Sequence, residues 1–168
     1  MGYCNSHTLA GVSTDCNTNL GGLKKVYITH YADNLFTMSG ETIVGFATGT
    51  TWYEYNFRNE TASFTSTLNK ASNGSSYVTT EINLIMPRMD AAKRAEMNAL
   101  ALDDLAVIAL DNNGKYHGFG RWLPVTATAG TGETGTAFGD ANQYTMTLTA
   151  ADQDFAPFLS DEAIASLS

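Results

Sequence analysis

Residues 61–86 constrain the fold of this chain more than any other stretch. Ala62, Phe64, Ser66 and Leu68 alternate with Thr61, Ser63, Thr65 and Thr67. After a short interruption, Val78, Thr80, Ile82, Leu84 and Met86 alternate with Tyr77, Thr79, Glu81 and Asn83. A period of two is the mark of a half-buried strand. Between the two runs lies Ala71-Ser72-Asn73-Gly74, whose Asn-Gly pair is a hairpin turn signal. Arms of about ten residues at roughly 3.3 Å each reach roughly 30 Å. That is long for a chain of 168 residues. Either the hairpin lies wholly on the chain's own core, or its outer part projects toward a neighbour.

The remaining elements read as strands and one helix. Residues 23–31, 42–47 and 52–58 are expected strands, the last with Tyr53, Tyr55 and Phe57 opposite Trp52, Glu54, Asn56 and Arg58. Pro87 ends the hairpin because it has no N–H to donate. Asp90 is placed to cap a helix through Leu102, with Ala92, Ala95, Ala99 and Leu102 as the expected packing face. The apolar run at residues 105–110 predicts a central strand, and Asp111-Asn112-Asn113-Gly114 a turn into residues 115–122. Residues 124–129 extend the sheet, residues 129–140 read as a flexible Gly/Thr-rich loop, and residues 143–149 form the last core strand. A short helix is expected at residues 161–167. The polar residues 1–22 read as an N-terminal arm, and residues 23–168 as one domain. The expected fold is mainly β (α+β): two packed antiparallel sheets or a flattened barrel, with one flanking helix and a long projecting hairpin.

Charged residues make up only 15% of the chain, against about 25% in ordinary domains. Thr, Ser, Asn and Gly fill the difference, a composition of strands, turns and surfaces covered by copies of the same chain. The net charge of -8 argues against gripping phosphates, which needs clustered Lys and Arg. It suits a passage through which nucleic acid slides, because like charge prevents sticking. The N-terminus has no charged or apolar segment of signal-peptide type, and no run approaches the roughly 20 apolar residues of a membrane helix. Cys4 and Cys16 read as reduced thiols or as a bridge stapling the arm. A metal site with His7 would lack a fourth ligand.

Catalytic signatures are missing. His7, His30 and His117 each stand alone in sequence, and no nucleophile elbow, metalloprotease helix or phosphate loop occurs. The glycines at 130, 132 and 135 precede a strand rather than a helix, so they do not cradle phosphate. Asp103 and Asp104 end the helix, where the dipole disfavours them. No enzyme, cofactor or metal is expected. Trp52 and Trp122, with Arg58 and Arg121 near them, are either core or edge residues or anchors of a protein contact.

Several motifs in order carry a family resemblance. These are Asp15-Cys16 followed by Gly21-Gly22 and Val26-Tyr27-Ile28, then the aromatic strand Tyr53–Phe57 entering the hairpin through Asn59-Glu60-Thr61. The helix, the turn at residues 111–116 and the run at residues 134–149 complete the series. Together they resemble tail tube, or closely related virion structural, proteins of tailed bacteriophages. The resemblance implies two packed sheets with a flanking helix and a projecting hairpin. It also implies hexameric rings stacked into a hollow tube, contacts with other phage tail proteins, and DNA passing through the lumen without specific binding. Assembly would occur in the bacterial host cytoplasm and the product would reside in the virion. Under this reading the inter-subunit contacts fall on Asn69, Lys70, Ser72, Asn73, Gly74 and Ser75 at the tip. Trp52, Arg58, Trp122, Gly132, Glu133 and Thr134 join them, with the N-terminal arm adding more. The alternatives are a head decoration or head-completion protein and, from another class, a carbohydrate-binding β-sandwich using Trp52 or Trp122 for stacking.

Overall fold

The computed structural model describes residues 9–167. Two sheets pack face to face. The first has seven strands in the order β2-β3-β11-β8-β7-β1-β4, and the second has four in the order β5-β6-β10-β9. In the first sheet, β1 (Leu23–His30) lies between β7 (Leu105–Asp111) and the edge strand β4 (Tyr53–Asn56). Beyond β7 come β8 (Tyr116–Phe119), the two-residue β11 (Phe158–Leu159), β3 (Thr42–Phe46) and β2 (Phe36–Ser39). All pairs are antiparallel except β11 with β3. The expected mainly β, two-sheet fold is the observed one.

The apolar run at residues 105–110 is buried throughout because β7 has a core on each face. Val107 and Ala109 join Val26, Ile82, Leu84, Phe119 and Leu148 between the sheets. Ile108 points the other way and packs with Tyr27, Ile43, Leu159 and Ala163. That second cluster is roofed by β2, β3 and the short helix α2 (Asp161–Ala165), whose first turn is capped by Ser160. Such double burial makes a strand read as continuously apolar rather than alternating. On β1, a register shift between Leu23 and Lys25 moves Leu23 onto the same face as Val26 and Ile28.

The hairpin is present as expected, formed by β5 (Ala62–Lys70) and β6 (Ser76–Pro87). Most of it does not project. β6 is an inner strand, paired along one edge with β5 from Ala62↔Leu84 to Lys70↔Ser76. Its other edge pairs with β10 (Gln143–Asp152) from Gln143↔Pro87 to Asp152↔Val78. Only residues 69–77 extend past the last β10 partner, so the projecting part is the tip alone.

Two expectations are corrected. The loop expected at residues 129–140 begins as strand: β9 (Thr126–Glu133) pairs with β10 as far as Glu133↔Gln143, and residues 134–140 alone lie outside any strand. Its glycines disguise it, yet they serve packing. A Cβ on Gly132 would stand 3.0 Å from the Tyr144 ring and 3.3 Å from Met89. The second correction concerns α1 (Ala91–Leu102), which Asp90 caps as expected, its Oδ1 accepting from the Lys93 backbone N–H at 2.8 Å. The helix does not pack through Ala92, Ala95, Ala99 and Leu102. Those residues are exposed, Leu102 at 86%. Leu100 and Met97 face the core instead, because their larger side chains bury more apolar surface than alanines do.

Candidate assembly interface

The four-stranded sheet ends in two free edges, β5 and β9, of nine and eight residues. Charge and proline, two of the devices that usually keep edges apart, are nearly missing from both, although β9 carries a bulge between Ala127 and Ala129. Each carries one charge, Lys70 and Glu133, at its very end, and neither holds a proline. Because all four strands alternate in direction, β5 and β9 run in opposite senses. A second copy's β5 laid beside β9 therefore continues the sheet as an antiparallel pair.

The two edges are staggered. The centre of β5 is Ser66, opposite Thr80, whereas the centre of β9 lies at Gly130, level through Met146 with Leu84. Four residues along the strand is about 13 Å, and four strands across is about 19 Å, at the usual strand spacings. A sheet continued by copies placed centre to centre would thus slant by about 35°, at the lower limit of the strand tilt found in closed barrels.

The outward face of this sheet carries mostly small polar side chains, Ser63, Thr65 and Thr67 on β5, Thr79 and Asn83 on β6, and Thr145, Thr147 and Thr149 on β10, with Tyr77 and Ile85 of β6 as larger members. They bond across strands. Thr147 Oγ1 donates to Asn83 Oδ1 at 2.9 Å, and Asn69 Nδ2 donates to Thr79 Oγ1 at 3.1 Å. The charges on this face, Glu81 and Glu133, are both carboxylates, and no Lys or Arg shares it.

At the tip, Gly74 adopts a φ of 87°, the left-handed conformation a tight turn needs there. The Asn73 side chain accepts from both the N–H (3.1 Å) and the hydroxyl (2.7 Å) of Ser75. Lys70, Ser72, Asn73, Gly74 and Ser75 are all exposed, and Asn69 is half-buried. Gly132, Glu133 and Thr134 lie exposed at the far end of β9, at the sheet end opposite the tip. Arg58 is exposed on the connection from β4 to β5, where its carbonyl accepts from Thr61. The structure thus distributes these residues over both ends of one sheet and does not gather them into a single patch.

The tryptophans divide. Trp52 packs into the second core cluster against Phe36 and Phe46, with ring centroids 6.2 and 5.0 Å away, and its buried Nε1 has no hydrogen-bond partner. Trp122 is 42% exposed, with the Arg121 guanidinium 4.4 Å over its ring. Its loop is held by Asp152. Burial pushes that carboxyl up, against backbone N–H groups of Trp122, Gly120 and Leu123 that draw it down.

His117, alone in sequence, has a partner in space: its Nε2 lies 2.9 Å from Asp111 Oδ2. Phe64 and Phe158 flank the ring, each centroid 4.9 Å away. Asp111 Oδ1 also accepts from the Asn113 and Lys115 backbone N–H groups, so the pair locks the β7–β8 turn. His30 lies 3.6 Å from Asp103 on the exposed surface. Among the described residues, no group of His, Cys, Asp and Glu could hold a metal ion, and no helix is long and apolar enough to cross a membrane. Cys16 is free and exposed, while Cys4 and His7, and with them the bridge and metal readings, lie outside the described residues.

No protein-family model matches the chain, and no curated protein matches it significantly.

Proposed function

We propose that this chain is a structural virion protein, the subunit of a bacteriophage tail tube, whose copies join head to tail into rings that stack around a DNA passage. The observation that carries the reading is the pair of free, nearly uncharged, oppositely directed edges on one sheet, whose four-residue stagger would, with copies joined centre to centre, give a tilt at the lower limit for closed barrels. A contact between two different patches of the same chain is heterologous, and such contacts generate rings when the rotation closes. Six copies would set about 24 strands around a ring roughly 45 Å across between backbones. The face of Thr, Ser and Asn with only carboxylates for charge suits the bore, since a polyanion finds nothing there to bind.

In this reading the hairpin tip and the N-terminal arm reach the next ring. Residence is in the virion, after assembly in the host cytoplasm with other tail proteins. The same edge contacts would also serve a head-completion ring, so position in the particle is tested separately. Electron microscopy of the purified protein across a concentration series is the direct test, with rings or tubes expected. A monodisperse monomer at every concentration would overturn the reading. Locating the chain in a virion reconstruction distinguishes tail from head.

A further inference from the structure

A groove of about 420 Å³ runs between α1 and β9, open on the free-edge side of the sheet. Met97 and Ala101 wall it, Ala127, Ala129 and Gly130 floor it, and Arg94 stands at its mouth. The floor is made of small residues: the Met97 methyl reaches Gly130 and the Tyr144 ring lies beside Gly132, while Ala101 and Ala127 line the groove with small side chains. Leu68 is an unfilled counterpart. It lies on the core-facing side of β5, in register with Val78, yet is 50% exposed.

We propose that Leu68 of one copy seats in the α1–β9 groove of the next, fixing the register of the β5–β9 joint. This rests on the head-to-tail reading above and adds to it a specific contact. With the edges joined centre to centre, Ser66 of one copy is level with Gly130 of its neighbour. Leu68 then falls near Ala127, on the side of the sheet that α1 covers, opposite Ala101. A leucine over alanines and a glycine buries apolar surface without a clash.

A partner strand bearing one apolar knob is what an open groove beside an unpaired edge selects.

Disulfide trapping tests this in full-length protein with Cys4→Ser and Cys16→Ser. One preparation carries Leu68→Cys and a second Ala101→Cys, since a bridge needs Cβ atoms about 4 Å apart. Circular dichroism first verifies that each variant is folded. On mild oxidation the mixture should give a covalent heterodimer, and a chain with both substitutions a ladder of multimers. Leu68→Cys alone should give little dimer. Efficient dimer from Leu68→Cys alone would mean symmetric β5–β5 pairing and overturn the proposal. Rings under the microscope with no cross-link would overturn the Leu68 contact and leave the ring reading standing. Neither rings nor cross-link would overturn both.

Discussion

Leu68 and Val78 are register partners across the hairpin, yet Val78 is 2% exposed and Leu68 is 50% exposed. The asymmetry has a simple source. Val78 has β5 on one side and β10, through Asp152, on the other, while Leu68 has nothing beyond its own strand. The hairpin therefore contributes a buried inner strand and an open edge, so the stability it gives the fold is separable from any contact the proposed assembly makes through its edge and tip.

That separation predicts the outcome of removing the tip. Replacing residues 69–76 with a two-residue Asn-Gly turn leaves every β6–β10 pair except those near Val78 in place. The subunit should stay folded, with its melting temperature lowered by a few degrees at most, an effect of about 1 kcal/mol or less. Assembly into stacked rings should be lost. Tubes of normal length from the shortened chain, seen by electron microscopy, would remove the tip from the account.

The Asp111–His117 pair predicts a pH-dependent stability. Burial raises the Asp111 carboxyl, but the bonds from His117 and from the Lys115 and Asn113 N–H groups outweigh it and hold the group below the ordinary carboxylate range. A lowered folded value stabilises the protein above the unfolded value of about 3.9 and is lost as pH falls through the folded one. Asp111→Ala should cost about 1–3 kcal/mol near neutrality, because it removes three hydrogen bonds to a charged carboxylate. The difference from the parent should shrink below about pH 4. Urea melts across pH measure it, and a deficit constant with pH would contradict the assignment.

Gly120 predicts a steep local penalty. Its φ is +92°, and a Cβ there would stand 3.1 Å from the Ala106 Cα and 3.3 Å from the Leu105 carbonyl. Backbone atoms cannot swing aside as a side chain can. Gly120→Ala should cost about 2–4 kcal/mol, more than backbone entropy alone restores. The same substitution at Gly114, where φ is +81° but nothing lies within 4 Å, should cost clearly less. Equal losses in thermal melts would refute the steric account.

The strands whose side chains alternate were legible in the sequence, as were the Asn-Gly turns and the Asp90 cap. β9 was not, because a glycine at 130 or 132 has no side chain to alternate and its value lies in making room for Tyr144, Met89 and Met97. β2 and β11 escaped notice because they are four and two residues long, too short for a period. The inward face of α1 was misassigned because alanine spacing fits more than one face, and only the neighbouring sheet decides between them. The Asp111–His117 pair was within reach, since both residues belong to one expected hairpin. The free edges and their stagger could not be read at all, for they are properties of strand order and register, which no local pattern encodes.

The claim at the centre of this account is that β5 and β9 join separate copies through their free edges. Amide hydrogen exchange, compared between dilute and concentrated protein, tests it at those strands. Edge amides of β5 and β9 should gain protection together as concentration rises, while those of β4, an edge of the other sheet, stay unchanged. Exchange in β5 and β9 that is fast and independent of concentration, in a sample where the protein remains folded, would contradict it.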